Sequence, residues 1–335
     1  MNLTLALPSL NRQKDETLPP LQLPAFNQIL RYGLLHKQEM KPSDFYRRHL
    51  WKGSLLAQIK EMTGIPPHQA AAFASPIWQQ MGLHQVSVVN GEHLHITQEE
   101  AAQLCLELSE FYSKDDWQFL PVRPDLWLIT LPSECDWGIA PVLDVYGQIG
   151  SADQADGEDA LQWLGMQTEI QMWLHQHPLN TVRTQNDTPT INGLWLWQDL
   201  TGLRSADFVA SDSIWAQFSD DPCLDAPYDF QAWLDAVAES GIHPANPVIF
   251  LDDLAVTEQT GDIQTYQEIL ESWEARWFAP LWQAVSEGRL KKLSQSFQTT
   301  SLHSDTLNPL SLQYDRIRGQ SPRYAVESIQ SWGNS

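Results

Sequence analysis

Three cysteines in 335 residues, Cys105, Cys135 and Cys223, are too few and too scattered for a disulfide framework or a cysteine metal site, and this usage suits a reducing compartment. No stretch approaches the ~18 consecutive apolar residues of a membrane span, which argues against membrane integration. Met1–Leu10 has neither a basic n-region nor a small-residue cleavage site, so it does not read as a secretory signal. These absences point to a cytoplasmic protein. Basic residues are also scarce. Twenty Lys and Arg stand against 42 Asp and Glu, a formal charge of −22. Such a surface repels phosphate backbones, and the best basic cluster, Arg289, Lys291 and Lys292, is too small a footprint for nucleic acid.

What the chain does have is length for a large core and 15 tryptophans spread through it, which read as core anchors. Asn2–Leu7 reads as a strand ending at Pro8-Ser9. Leu23–Gly33 reads as a helix with proline at its start and glycine at its stop. Ser54–Met62 is a short helix closed by Gly64, and Ile65-Pro66-Pro67 opens another that runs into residues 71–82. Ser75-Pro76 is either a helix-breaking turn or a nucleophile. The turn is favoured, because no base stands nearby in sequence.

From His84 to Leu131 the pattern changes to strand, strand, helix and strands. Asn90-Gly91 signals a hairpin, with His93–Ile96 as its return strand. Thr97 and Glu100 stand three apart before an apolar helix, a capping box. Phe119–Val122 and Leu126–Leu131 form a further strand pair. His93 and His95, two apart on a strand, share a face and could share a metal, but no third ligand is placed and an ordinary polar face is favoured.

The stretch from Leu161 to Trp197 organises the rest. Leu161, Leu164 and Thr168, with Trp163, Met166, Ile170, Trp173 and Leu174, recur at three- and four-residue steps and predict a broad apolar stripe on a helix. His177-Pro178 ends that helix, since the residue before proline is pushed out of the α region. Gly193–Trp197 reads as a buried strand, with Trp195 and Trp197 alternating with Leu194 and Leu196.

In this stretch His177, Pro178, Asn180, Arg183, Pro189, Asn192, Trp195 and Trp197 fall in the order and spacing of a segment of the archaeal-type cofactor-independent phosphoglycerate mutases. The segment resembles still more closely that of RpfE-type regulatory, phosphoglycerate-mutase-like bacterial proteins. Gln198 departs from the glycine of the mutase pattern, and the glycine before Pro189 is missing. The resemblance implies an α/β, alkaline-phosphatase-like fold: a mostly parallel sheet flanked by helices, with a smaller α/β insertion. It divides the chain into a main domain of residues 1–83 and 133–310, an insertion of 84–132, and a partly ordered tail of 311–335. It also implies ligand-binding roles for Asn180, Arg183 and Asn192. Without it, the two asparagines read as turn bridges and Arg183 as the partner of an acidic neighbour.

The same resemblance exposes losses. The mutases end their first strand in a metal-binding aspartate where Pro8-Ser9 stands here. Pro247–Leu251 reads as a buried strand ending in Asp252-Asp253, where open α/β sheets place their sites. The mutases then follow with a metal-binding Asp and His. Here Glu258, Gly261 and Asp262 follow without a histidine, and His303 with Asp305 only loosely resembles the closing metal motif. Asp252, Asp253 and Asp262 are weak metal candidates. Two expectations follow. One is a catalytically degenerate protein with a regulatory or binding role toward a phosphorylated or carboxylate small molecule or a protein partner. The other is a working mutase or phosphohydrolase with a rearranged Mn or Mg site.

Overall fold

Local signals set most element ends. In the computed structural model, residues 1–10, 21–81, 86–89, 94–146, 155–219, 223–260, 262–299 and 310–315 are described. In chain order they form β1 (Asn2–Leu7), α1 (Pro24–Tyr32), β2 (Leu34–Glu39), α2 (Pro42–His49), β3 (Lys52–Ser54), α3 (Leu55–Thr63), β4 (Ala71–Met81) and β5 (Val86–Val89). There follow α4 (Gln98–Phe111), β6 (Gln118–Arg123), β7 (Leu126–Thr130), α5 (Ala160–His175), α6 (Pro178–Gln185), β8 (Gly193–Trp197), β9 (Thr201–Leu203), β10 (Phe208–Ser211) and β11 (Cys223–Asp225). The last are α7 (Phe230–Ser240), β12 (Pro247–Phe250), α8 (Asp253–Thr260), α9 (Ile263–Trp273), α10 (Ala279–Ser286), β13 (Lys292–Thr299) and β14 (Leu310–Asp315). The expected caps are in place: Ser54 accepts from Ala57 N at the start of α3, Gly64 closes it at φ 72°, and Thr97 and Glu100 form the reciprocal capping box of α4.

The chain divides into two units, residues 1–52 with 203–335, and residues 53–202. The first is α/β, built on a sheet of order β11-β10-β12-β1-β13-β14-β2. The first five strands run parallel, and β14 pairs antiparallel with both β13 and β2. A mostly parallel sheet flanked by helices is the expected class. One face carries Leu3, Leu5, Leu7, Ala210, Ile249 and Leu293, and these are buried with α1, α7, α9 and α10 through Ile29, Trp233, Trp273 and Leu281. On the other face α2 sets the rings of Phe45, Tyr46 and His49 against Phe250. A π-turn, Glu274–Phe278, joins α9 to α10 where Pro280 interrupts the stripe. Its Glu274 carboxylate accepts the amides of Ala25 and Phe26, capping α1, whose N-cap Leu23 has no side-chain acceptor.

The second unit is an antiparallel sheet in which β4 pairs with β7, β8 and β5, and β6 pairs with β7. It begins at Gly53 and runs to Gly202, wider than the insertion expected at 84–132. The reason is that residues 71–81 and 193–197, assigned from sequence to the main domain, form β4 and β8, which pair with each other, and β4 pairs with β7 on its other side. Residues 71–81 are therefore strand where a helix was expected. Partners on both sides override the helical propensity of Ala and Met. Pro76 is tolerated because pairing with β7 ends at Ala74. His95 sits in a turn at φ 49°, which breaks the strand expected there. His93, Asn90-Gly91, Gly261, His303 and Asp305 lie outside the described residues, as does the tail beyond Asp315.

Helix α5 also differs from expectation. Trp163, Met166, Ile170 and Leu174 are buried with Gln167, while Leu161 is 85% exposed. The cause is the edge of β8. Trp163 Nε1 and Gln167 Nε2, one turn apart, donate to the carbonyls of Leu196 and Leu194 at 2.8 and 2.7 Å. The helix thereby seals that strand edge. No described helix is long and apolar enough to cross a membrane.

Candidate functional site

Asn180, Arg183 and Asn192 do come together, around the turn that leads into β8. Pro178 starts α6 with His177 as N-cap, so Asn180 and Arg183 lie on one face, three apart, and both are buried. The Asn180 amide donates to the carbonyls of Leu174 and Ile191 and accepts from Ile191 N, at 2.7 to 2.8 Å. Asn192 accepts from Gln79 N and donates to Gln79 O, at 2.7 and 2.8 Å, extending the β4–β8 ladder by one side-chain rung. Arg183 is 2% exposed. Its guanidinium donates to Pro189 O at 2.8 Å, to Glu100 Oε2 at 2.6 Å and to the Leu94 carbonyl. Glu100 belongs to the capping box, so one carboxylate ties α4 to α6.

His177 completes this knot. Its Nδ1 accepts from Leu179 N, which leaves Nε2 to donate to Glu107 Oε2 at 2.8 Å. Hydrogen bonds from Gln103 and then His177 hold the Glu107 carboxyl below its usual range. Trp195 Nε1 donates to Ala140 O, and Trp197 Nε1 to the Ser75 hydroxyl, which is fully buried inside β4. Ser75 is therefore neither a turn nor an accessible nucleophile. Every polar group of the motif is bound to its own chain, and the arrangement does structural work.

A second polar group gathers at the C-terminal ends of the parallel strands. The register row Ser211–Phe250–Ala6–Ser296 crosses β10, β12, β1 and β13. Immediately beyond it stand Asp212, after β10, and Asp252 and Asp253, after β12. Asp252 N donates to Asp212 Oδ1 at 2.7 Å, and Tyr46 OH to Asp252 Oδ1. Asp253 accepts from Trp273 Nε1 at 3.2 Å. Asp212 reaches solvent, but protein crowds it on its other sides. Lost hydration, then the charges of Asp253 and Asp252, push its carboxyl up to about 8. Nearby, His49 Nε2 and Ser296 Oγ lie 3.2 Å apart. Packing among aromatic rings, and then Arg48, push this imidazole down to about 3, so it is neutral at physiological pH.

Asp212 was not picked out by sequence reading. It stands forty residues from Asp252 and meets it only through parallel pairing of β10 with β12. Asp262, by contrast, is an exposed N-cap of α9, and its bonds to the Thr265 amide and hydroxyl hold its carboxyl below the usual range. Ser9, where the mutases would carry their first metal-binding aspartate, follows β1 in the left-handed region at φ 60°. Among the described residues no group of three His, Cys, Asp or Glu is arranged to hold a metal, and His49 turns to Ser296 and not to these carboxylates.

No family model matches the chain, and no curated protein matches it. Among solved structures it is similar to the PH0037 protein from Pyrococcus horikoshii, with 10% identity, 95% of this chain and 88% of that one covered, and a TM-score of 0.49. It is also similar to a cofactor-independent phosphoglycerate mutase from Thermoplasma acidophilum DSM 1728, with 12% identity, coverage of 97% and 92%, and a TM-score of 0.38.

Proposed function

We propose that this chain is a catalytically degenerate, phosphoglycerate-mutase-like protein of the RpfE-type regulatory kind, acting in the cytoplasm by binding and not by turnover. The observation that carries this is the engagement of Arg183. The one basic side chain of the motif is buried, with its guanidinium held by Glu100 and two backbone carbonyls, so it does not present itself to a phosphate. The ligand in this reading is a phosphorylated or carboxylate small molecule, or a protein partner. The test is an assay of 3-phosphoglycerate with and without Mn²⁺ or Mg²⁺, alongside thermal melts with the same compound. No interconversion is expected. Metal-dependent turnover would overturn the reading.

A second reading, a mutase or phosphohydrolase with a rearranged site, draws on Asp212. A carboxyl held protonated toward neutral pH at the end of a parallel sheet suits general-acid work. Mn or Mg belongs to this reading alone. Turnover that disappears in Asp212→Asn would favour it.

A further inference from the structure

Helix α5 has no charged face. Its sixteen residues hold one carboxylate, Glu169, in a chain of net charge −22. Its exposed side mixes Gln162, Thr168, Glu169 and His175 with apolar side chains, and exposed apolar side chains gathered in one patch mark an interaction site. Its inner side seals β8, yet on the outer side Leu161 is 85%, Leu164 38% and Met172 61% exposed. Gly165, Thr168 and His175 complete that outward stripe and are exposed too. Glu169 lies at its flank, with its carboxylate accepting the Tyr112 hydroxyl at 2.8 Å. The Thr168 hydroxyl is turned back onto Leu164 O. The patch continues onto α4, where Phe111, 45% exposed, sits with its ring 6.5 Å from that of Trp173.

Gly165 is the second, independent observation. A glycine inside a helix is less favourable than alanine by about 1 kcal/mol. Here a Cβ would meet nothing within 4 Å, so nothing in the chain's own packing calls for it. Glycine in the middle of an outward apolar stripe fits a partner backbone that approaches closely.

We infer that the outer face of α5 is a homodimer contact, in which two copies of the helix cross antiparallel at Gly165–Thr168. The stripe is self-complementary about that point. Leu161 meets Met172 of the second copy, Gly165 meets Thr168, and His175 comes level with the exposed Glu158 just before the other helix. The pairing opposes the two helix dipoles and sets a base against an acid. In the same register Glu169 comes opposite Leu164, so between two strongly acidic chains no carboxylate is set against another carboxylate. A single helix pair, roughly 24 Å long, is smaller than a standard interface of about 800 Å² per partner, so the dimer is a reversible one.

Sedimentation equilibrium of the full chain tests this, from about 1 to 200 µM protein at about 150 mM salt. A concentration-dependent dimer is expected, with a Kd of about 1–100 µM. Leu161→Glu and Met172→Glu, at exposed positions that leave the fold intact by circular dichroism, should each weaken it at least about tenfold. Gly165→Ala should raise the melting midpoint of dilute protein while weakening association, a split that a purely structural glycine would not give. A chain that stays monomeric throughout, or a dimer whose Kd is unmoved by both Glu variants, overturns the inference.

Discussion

The two units treat polar side chains in opposite ways. Around the turn into β8, Asn180, Arg183, Asn192 and His177 form a group in which donors and acceptors are matched and burial is nearly complete. At the strand ends of the parallel sheet, burial and the like charges of Asp253 and Asp252 raise the proton affinity of Asp212. The first arrangement stabilises a particular chain path. The second leaves electrostatic tension at a position open to solvent. A recognisable motif therefore marks a hydrogen-bonded knot, and the carboxyl with the raised proton affinity, Asp212, is the one that sequence reading did not pick out.

The sharpest way to break the comparison is to remove Arg183. Arg183→Ala would leave Glu100 and two buried carbonyls without their partner, and a cost of about 3–5 kcal/mol is expected by denaturant unfolding. Trp197→Ala, which empties a fully buried site against Phe73, should cost a similar ~3–5 kcal/mol. If Arg183→Ala costs under about 1 kcal/mol, in the range of an exposed ion pair, the knot is not structural and the contrast between the regions fails. Asn180→Ala should come next, at about 2–3 kcal/mol for three lost bonds, read on the same unfolding curves.

The strand ends should respond to pH instead. The raised Asp212 carboxyl means the folded state binds the extra proton, so this group's stabilising share is present near pH 4 and is lost as pH rises toward 8. Asp212→Asn should flatten that decline and, after allowance for solvent screening, add about 1 kcal/mol at pH 8 in thermal melts. His49 has the opposite sign. Its lowered value gives stability that is complete above pH 6.5 and is lost as pH falls toward 3. His49→Gln should remove part of the acid sensitivity, an effect of ~1 kcal/mol or less by melts at pH 4 and 7. A flat profile for both variants would mean the two regions do not differ in electrostatic tension.

Where a single local signal decides the structure, the sequence was legible. Gly193–Trp197 is a strand buried on both faces, Thr97 and Glu100 cap α4, and Gly64 stops α3 in the left-handed region. Where a neighbour decides, it was not. Residues 71–81 became strand because β7 and β8 flank them, and the buried side of α5 was selected by two carbonyls of β8. The candidate site shows the same split. The gathering of Asn180, Arg183 and Asn192 was foreseeable, but their partners are Glu100, Gln79 and backbone atoms that no spacing reveals. Asp212 was invisible because pairing between strands far apart in sequence brings it to Asp252.

The placement of β1 in the sheet has a consequence for how the chain is made. Its partners are residues 248–250 on one side and 292–297 on the other. At about 5–20 residues per second, a ribosome that has finished residues 2–7 needs on the order of ten to sixty seconds more to deliver both neighbours. Throughout that interval residues 53–202 are available to close on their own. The apolar strand Leu3–Leu7 meanwhile waits unpaired, an edge on both sides. Nascent chains stalled between residues 210 and 290 should therefore be more prone to bind chaperones than the finished protein, with Leu3, Leu5 and Leu7 as the exposed determinant.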